Sequence, residues 1–343
     1  MVKEKLSIKD ESAVPKYIQI VNGVKEMIRS EGLSIGDPLP AIREICLQHN
    51  LAQETVIKAY NELKELGIIR SELRKGYFVA NDKVGRTKNV FLLFDELSEY
   101  KKILYNTLLQ GLDKKVANVD VYFHHCNIEV FESLILNNID RYNVFVVMPF
   151  NHAKVSSILA KLKGRNVLAL DRKEYFPTDF GNYIVQNFDE AVYDCLQLAK
   201  DRIRNYEKFT LVFSDTKLIA SNAAKAPREI KKGFTRFCKE NGITHEIVSN
   251  VEKVNSGEAF FVIDDLDMVE IITLARDTGL KLGKDCGLIS YNDSPIKRVV
   301  ADGITVISTD FEQLGRKAVS YILDGPQEMK EEVETKLIMR DSL

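Results

Sequence analysis

From about residue 88 onward the chain repeats one unit, a short apolar run that stops on polar or turn residues and is followed by an amphipathic stretch. The runs are NVFLLFD (89–95), VDVYFHHC (119–126), NVFVVMPF (143–150), NVLALD (166–171), KFTLVFSD (208–215), EAFFVIDD (258–265) and CGLISYND (286–293). Helical periodicity fills 102–117, 153–163, 189–204 and 226–241 between them. Near-continuous apolar runs belong to strands buried on both faces, and strands that alternate with helices belong to parallel sheets. The pattern therefore predicts an α/β fold. In such sheets ligands collect at the carboxyl ends of the strands. Those ends read Phe94-Asp95, Phe150-Asn151, Asp171-Arg172, Ser214-Asp215, Asp264-Asp265 and Asn292-Asp293. Carboxylates and amides without a glycine-rich phosphate loop fit a ligand made of hydroxyls, and a sugar is the natural candidate. Taken singly, Asp171, Asp264 and Asn292 fit strand-end caps equally well; together they favour a ligand.

Before residue 82 the spacing is helical. Tyr17, Ile20, Val21, Val24 and Ile28 form one face of a first helix that Gly32 ends. A second helix begins near Pro40, and after a short turn at Asn50 and Leu51 a third buries Val56, Ala59, Tyr60, Leu63 and Leu66 before Gly67. IIRSELRKGYFVAN then reads as two strands joined around Arg74, Lys75 and Gly76. Three helices and a hairpin in this order describe a winged helix-turn-helix. The start of the third helix then enters the major groove, which explains the polar Gln53, Glu54, Thr55 and Lys58 opposite an apolar face. Gln53 suits adenine, Thr55 a base or phosphate, and Lys58 phosphate or guanine. Lys75 would approach an adjacent groove or the backbone, and Gly76 would permit close approach.

Charge does not contradict this. Residues 1–86 carry 14 Lys+Arg against 12 Asp+Glu, or +2, and the remainder 34 against 38, or −4. Phosphate contact must therefore rest on local placement, doubled by dimerisation, rather than on a strong basic field. Five scattered cysteines without a Cys-x-x-Cys spacing argue against a disulfide framework or a zinc knuckle. Adjacent His124 and His125 point to opposite faces of a strand and do not share an ion. No secretory signal and no run of about eighteen apolar residues is present, so a soluble, cytoplasmic protein without a membrane partner is expected. No cofactor, metal or catalytic residue is expected either, since Gly-x-Ser-x-Gly, Walker and His-Glu-x-x-His motifs are absent from the sequence.

Residues 15–79 resemble the DNA-binding domain of the GntR family of bacterial transcription regulators. The resemblance rests on PKYIQI, GDPLP, Thr55-Val56, LKELGII and GYFV. It places Arg43, on the second helix, at the family's DNA-contacting arginine. The family's Ser-Arg at the start of the recognition helix, and its Arg two residues after Thr, are replaced by Ala52, Gln53 and Ile57. Gln53 and Lys58 thus become the candidates for specificity.

Residues 88–343 resemble the sugar-sensing domain of LacI and galactose-repressor regulators, which is similar to periplasmic sugar-binding proteins. LALDR (168–172), GFTRF (233–237), VIDDLDMVEII (262–272), GLISYND (287–293) and VISTDFEQLGRKAV (306–319) carry it, with LIMRDSL at the end. The resemblance implies two α/β lobes, three chain crossings between them and an effector in the cleft. Asp171, Asp264 and Asn292 match effector contacts, joined by Asp95, Arg172, Phe150 and Asn151. Ile230 stands where the family carries Arg, so Arg228 is the candidate substitute. The expected organisation is a DNA-binding domain at 10–82, a linker at 83–88 and an effector domain at 89–343. Lobe 1 spans 89–184 and 310–325, and lobe 2 spans 185–309 and 326–343. The partners implied are an operator in double-stranded DNA, a neutral monosaccharide and a second copy of the chain. The competing reading is a sugar-modifying enzyme fused to a DNA-binding domain.

Overall fold

The computed structural model describes residues 6, 8, 14–30, 33–81, 88–112, 117–139, 141–173, 175–177, 180–214, 227–324 and 328–343. The proposed linker, apart from Lys88, the helix stop at Gly32 and the strand-end residue Asp215 lie outside them.

The N-terminal domain contains α1 (Lys16–Ser30), α2 (Ile42–His49), α3 (Gln53–Glu65), β1 (Ile69–Glu72) and β2 (Gly76–Val79). Asn50 ends α2 in left-handed backbone at φ 51, and Leu51 N donates to Cys46 O, which reverses the chain within one short turn. Gly67, at φ 66, ends α3 while Ile68 N donates to Leu63 O, so the chain enters β1 directly. The strands pair antiparallel from Ile69↔Val79 to Glu72↔Gly76. Ile20, Val24, Ile45, Val56, Ala59, Tyr60 and Leu63 form a core from all three helices, each at 0% exposure. Tyr60 keeps its hydroxyl satisfied there by donating to Pro40 O at 2.7 Å, which fastens the approach to α2.

The larger domain has two six-stranded sheets. The first joins β3 (Lys88–Phe94), β4 (Ala117–Phe123), β5 (Val144–Val147), β6 (Asn166–Asp171), β7 (Tyr183–Gln186) and β13 (Lys330–Val333) in the order β13-β7-β6-β5-β3-β4. The second joins β8 (Lys208–Val212), β9 (His245–Val248), β10 (Glu258–Val262), β11 (Gly287–Tyr291), β12 (Thr305–Thr309) and β14 (Thr335–Ile338) in the order β14-β12-β11-β10-β8-β9. Antiparallel pairing of β14 with β12 interrupts an otherwise parallel second sheet. The intervening helices are α4 (Glu99–Gly111), α5 (Ile128–Asn138), α6 (Val155–Leu159), α7 (Phe188–Leu198), α8 (Lys200–Ile203), α9 (Arg228–Asn241), α10 (Asp265–Asp277) and α11 (Phe311–Asp324).

The chain crosses between the sheets after Gln186, after Thr309 and at Glu334. Two of these points correct the expected lobe limits. β7 runs to Gln186 within the first sheet, and residues 330–333 return to that sheet by pairing in parallel with β7, so lobe 2 does not resume at 326. The sequence KEEV is too polar to read as a strand; it forms one because it sits at a sheet edge, where a polar face meets solvent. Glycine sets the helix packing in each lobe. A Cβ at Gly315 of α11 would meet Thr107 of α4 at 2.8 Å, and one at Gly233 of α9 would meet Asp189 O of α7 at 2.3 Å. The Gly of GFTRF is thus a close-approach site. Among the described residues no helix is long and apolar enough to cross a membrane.

Candidate functional sites

The buried face of α3, with Val56, Ala59, Tyr60 and Leu63, dictates what the helix presents outward. Gln53 and Glu54 are exposed on its first turn, Thr55 is half-buried and Lys58 is exposed one turn later. No side chain caps this end of the helix, because Ala52 occupies the cap position. The positive end of the helix dipole therefore accompanies Gln53. Lys58 Nζ lies 3.9 Å from the Tyr17 ring centroid, a cation–π contact that restrains the side chain against α1. Arg43 is exposed on the first turn of α2.

In the hairpin, Leu73–Lys75 form the loop, with Arg74 at φ 62 and Gly76 at φ 112; Arg74, Lys75 and Gly76 are all exposed. Glu72 lies 3.3 Å from both Lys75 Nζ and Arg70 Nη2. The Lys75 hydrogen bond, seconded by Arg70, holds Glu72 below the usual carboxylate range. The hairpin is thus less basic than Arg74-Lys75 alone implies. Sequence reasoning passed over Arg70 and the 89% exposed Leu73 at its tip.

In the larger domain the ends of β3, β6 and β11 meet at a cavity of about 70 Å³ between the lobes. Asp171 and Asn292 end β6 and β11 in left-handed backbone, φ 74 and 61, a conformation that Asp and Asn tolerate better than other side-chain-bearing residues. Both are buried and line the cavity. Gln186 Nε2 donates to Asp171 Oδ1. Asn292 Oδ1, also buried, makes no hydrogen bond among the described residues.

Two lysines stiffen the rim. Lys101 Nζ donates to both oxygens of Asp95 at 2.5 and 2.6 Å. Burial opposes charge on each, but their mutual attraction outweighs it, holding Asp95 below the carboxylate range and Lys101 above the usual lysine range. Lys297 Nζ donates to Tyr291 O at 2.9 Å and Asn292 O at 2.8 Å, and lies 2.7 Å from Asp265 Oδ1. Here burial prevails over Asp265 and the lysine is pushed down. Burial also pushes Glu96, on the lobe 1 side, above the usual carboxylate range against the opposing Lys101.

Of the eight residues expected at an effector site, Asp95, Asp171, Arg172 and Asn292 line the cavity, and Phe150, Asn151, Arg228 and Asp264 do not. Phe150 is core, stacked on His124 at 4.9 Å and edge-on to Phe131 at 5.6 Å. Asn151 is exposed beyond it. Asp264 caps α10 by accepting from Leu266 N at 2.9 Å, and the next residue, Asp265, lines the cavity instead. Arg228 is exposed at the start of α9; helical periodicity turns the buried Ile230, Phe234 and Phe237 inward and carries Arg228 away from the cleft. The cavity wall on that side is Pro227 and Ile230. Lys101, Gln186, Tyr291 and Lys297 were not anticipated. A lysine on an amphipathic helix reads as solvated, and only a glutamine closing the apolar triplet YIV hinted at the first crossing.

A winged helix-turn-helix stands on the same chain as a two-lobed α/β domain with an inter-lobe cavity, and family models match each of the two parts. Residues 16–79 match the gntR family of bacterial regulatory proteins, and residues 204–343 match the periplasmic binding protein-like domain family. YhcF of Bacillus subtilis (strain 168), an uncharacterized HTH-type transcriptional regulator, is 31% identical over 109 residues, which cover 32% of this chain and 81% of YhcF. The chain belongs to the GntR family of bacterial regulatory proteins. The HTH-type transcriptional regulators YcxD and KdgR of the same organism are 32% and 30% identical over 74 and 93 residues, and the chain spans only 16% and 27% of their lengths. Among solved structures, a LacI family transcriptional regulator from Silicibacter pomeroyi superposes with a TM-score of 0.62 at 15% identity, covering 74% of this chain and 98% of that one. A LacI family regulator from Lactobacillus casei with bound glucose gives 0.60 at 13%, covering 74% and 99%. These likenesses establish the fold of the larger domain.

Proposed function

We propose that the protein is a sequence-specific DNA-binding transcriptional regulator, acting as a homodimer, whose operator affinity is set by a neutral monosaccharide in the inter-lobe cleft. The observation that carries the DNA half is the division of α3: four side chains at 0% exposure on one face, and Gln53, Glu54 and Lys58 exposed on another. Gln53 reads a base edge, Lys58, Arg43 and Thr55 support it, and Arg74, Lys75 and Gly76 meet the backbone. The ligand half is supported by what the cavity offers. Asp171, Asn292 and Glu96 present acceptors, and the Asn292 oxygen has no donor among the described residues; hydroxyl groups supply donors. The glucose-bound Lactobacillus casei regulator shares the fold. A cavity of about 70 Å³ holds a few waters and falls below the roughly 300–1,000 Å³ of ligand pockets. The lobes therefore part to admit a sugar and close on it.

The test is a gel-shift titration of the full chain against its operator at fixed salt, with and without a panel of neutral monosaccharides. One sugar changes operator affinity about 5- to 150-fold, a coupling of about 1–3 kcal/mol. In the same assay Gln53→Ala loses discrimination at one base pair, whereas Lys75→Ala weakens binding to all sequences alike. Unchanged affinity across the panel overturns the ligand half; equal losses of both variants on operator and random DNA overturn the assignment of Gln53.

A further inference from the structure

Two buried polar residues near the cleft, Gln186 and Thr309, and the half-buried Thr335 lie where the chain crosses between lobes. Gln186 is the last residue of β7 before the first crossing, Thr309 ends β12 before the second, and Thr335 opens β14 after the third. Gln186 and Thr309 are 7% and 4% exposed. Gln186 Nε2 donates to Asp171, and its Oε1 lies 3.2 Å from Tyr291 Oη and 2.5 Å from Thr309 Oγ1. The carboxylate accepts only, so the amide nitrogen must face it and the amide oxygen must accept from both hydroxyls. Thr309 Oγ1 has then spent its one proton, and at 2.7 Å from Thr335 Oγ1 it accepts from that hydroxyl. The directions of four hydrogen bonds follow from one buried carboxylate.

We propose that Gln186 is a positioning residue that links the effector-cleft residue Asp171 to all three inter-lobe crossings through Tyr291, Thr309 and Thr335. Asp171 and Gln186 belong to the first sheet, and Tyr291, Thr309 and Thr335 to the second. Moving one lobe against the other breaks the bonds at the Gln186 oxygen, and the freed amide no longer holds Asp171 in its left-handed conformation. Conversely, a ligand that draws on the Asp171 carboxylate competes with the Gln186 amide and loosens the crossings. Use of this chain as a signal rests on the reading of the cleft as an effector site. The chain of bonds does not, and its test needs no ligand.

The test is amide hydrogen exchange on the protein and four variants, Thr309→Val, Thr309→Ser, Gln186→Met and the Gln186→Met/Thr309→Val double variant. Thr309→Val removes a donor in lobe 2 and raises exchange by about three- to tenfold, the worth of one hydrogen bond, both at the crossings and at Asp171–Arg172 in lobe 1. Thr309→Ser keeps the hydroxyl and restores the wild-type rate. In a Gln186→Met background, Thr309→Val has no further effect at Asp171–Arg172. A Thr309→Val change confined to its own strand overturns the proposal, as does an undiminished effect in the Gln186→Met background or a failure of Thr309→Ser to rescue.

Discussion

Each lobe places a buried lysine beside an aspartate at the cleft rim, yet the two arrangements obey different electrostatics. In lobe 1, Asp95 closes β3 and Lys101 reaches it from α4, and both side chains are nearly inaccessible, at 7% and 4%. In lobe 2, Lys297 is equally buried at 2%, but Asp265 is 47% exposed and keeps its water. The lysine instead gives two hydrogen bonds to the carbonyls of Tyr291 and Asn292. Full desolvation of both partners makes the lobe 1 pair strong and intolerant of losing either member; partial solvation leaves the lobe 2 lysine mainly a backbone clamp. The strand ends differ in the same sense. Asp171 is tied by Gln186, whereas Asn292 is gripped by its backbone and its side-chain oxygen meets no donor among the described residues.

The comparison breaks most visibly at Lys101. Lys101→Met leaves the Asp95 carboxylate buried and uncompensated, at a cost of about 3–5 kcal/mol in urea unfolding followed by circular dichroism. The wild-type contribution of Asp95, whose pKa lies below its ordinary 3.8, is present above that pH and lost as the pH falls through the depressed value; the variant lacks this acid limb. A cost no larger than that of Lys297→Met would refute the contrast between lobes.

Lys297→Met strands two carbonyls but leaves Asp265 in water, and costs about 1–3 kcal/mol in the same measurement. Its pH signature has the opposite origin. With the folded-state pKa depressed below 10.5, the unfolded chain binds more protons between the two values, so stability rises with pH across that window. The variant loses this slope, which midpoints taken between neutral pH and 10.5 will show.

Asn292 sharpens the comparison with the smallest effect. Asn292→Gly accommodates φ 61 without strain, whereas Asn292→Ala does not, and the two should differ by about 1 kcal/mol in thermal unfolding. Neither leaves a described partner unpaired, since the Asn292 oxygen has none among the described residues. A loss well beyond that difference in Asn292→Gly would show that the side chain is structural rather than open to a ligand.

The N-terminal domain was legible almost residue by residue, because its helices are amphipathic and its turns are marked by Asn50 and Gly67; Leu66, expected on the buried face of α3, is instead 46% exposed, because the helix ends at Glu65 and Leu66 caps it. In the larger domain the seven apolar runs located seven strands; the run at 166–171 ends with its strand on Asp171, whereas those at 119–126 and 286–293 overreached where His125, Cys126 and Asn292 turn into left-handed backbone. The strands at 183–186, 245–248, 305–309, 330–333 and 335–338 went unread, each being only four or five residues long. Half of the expected cleft residues arrived there. Arg228 and Asp264 did not, because a two-residue step along a helix or a one-residue step at its cap redirects a side chain wholly.

What the sequence by itself determined is the sorting of local segments: which stretches bury an apolar face, with what period, and where glycine or asparagine must turn the chain. Those are properties of a few neighbouring residues and of the free energy of hiding them from water. The tertiary structure alone decided which polar groups become partners. Lys101 and Asp95, Gln186 and Thr309, and Lys297 and Asn292 are brought together by folded strand ends and crossings, and a charge or amide acquires its role only when burial removes the water that would otherwise satisfy it.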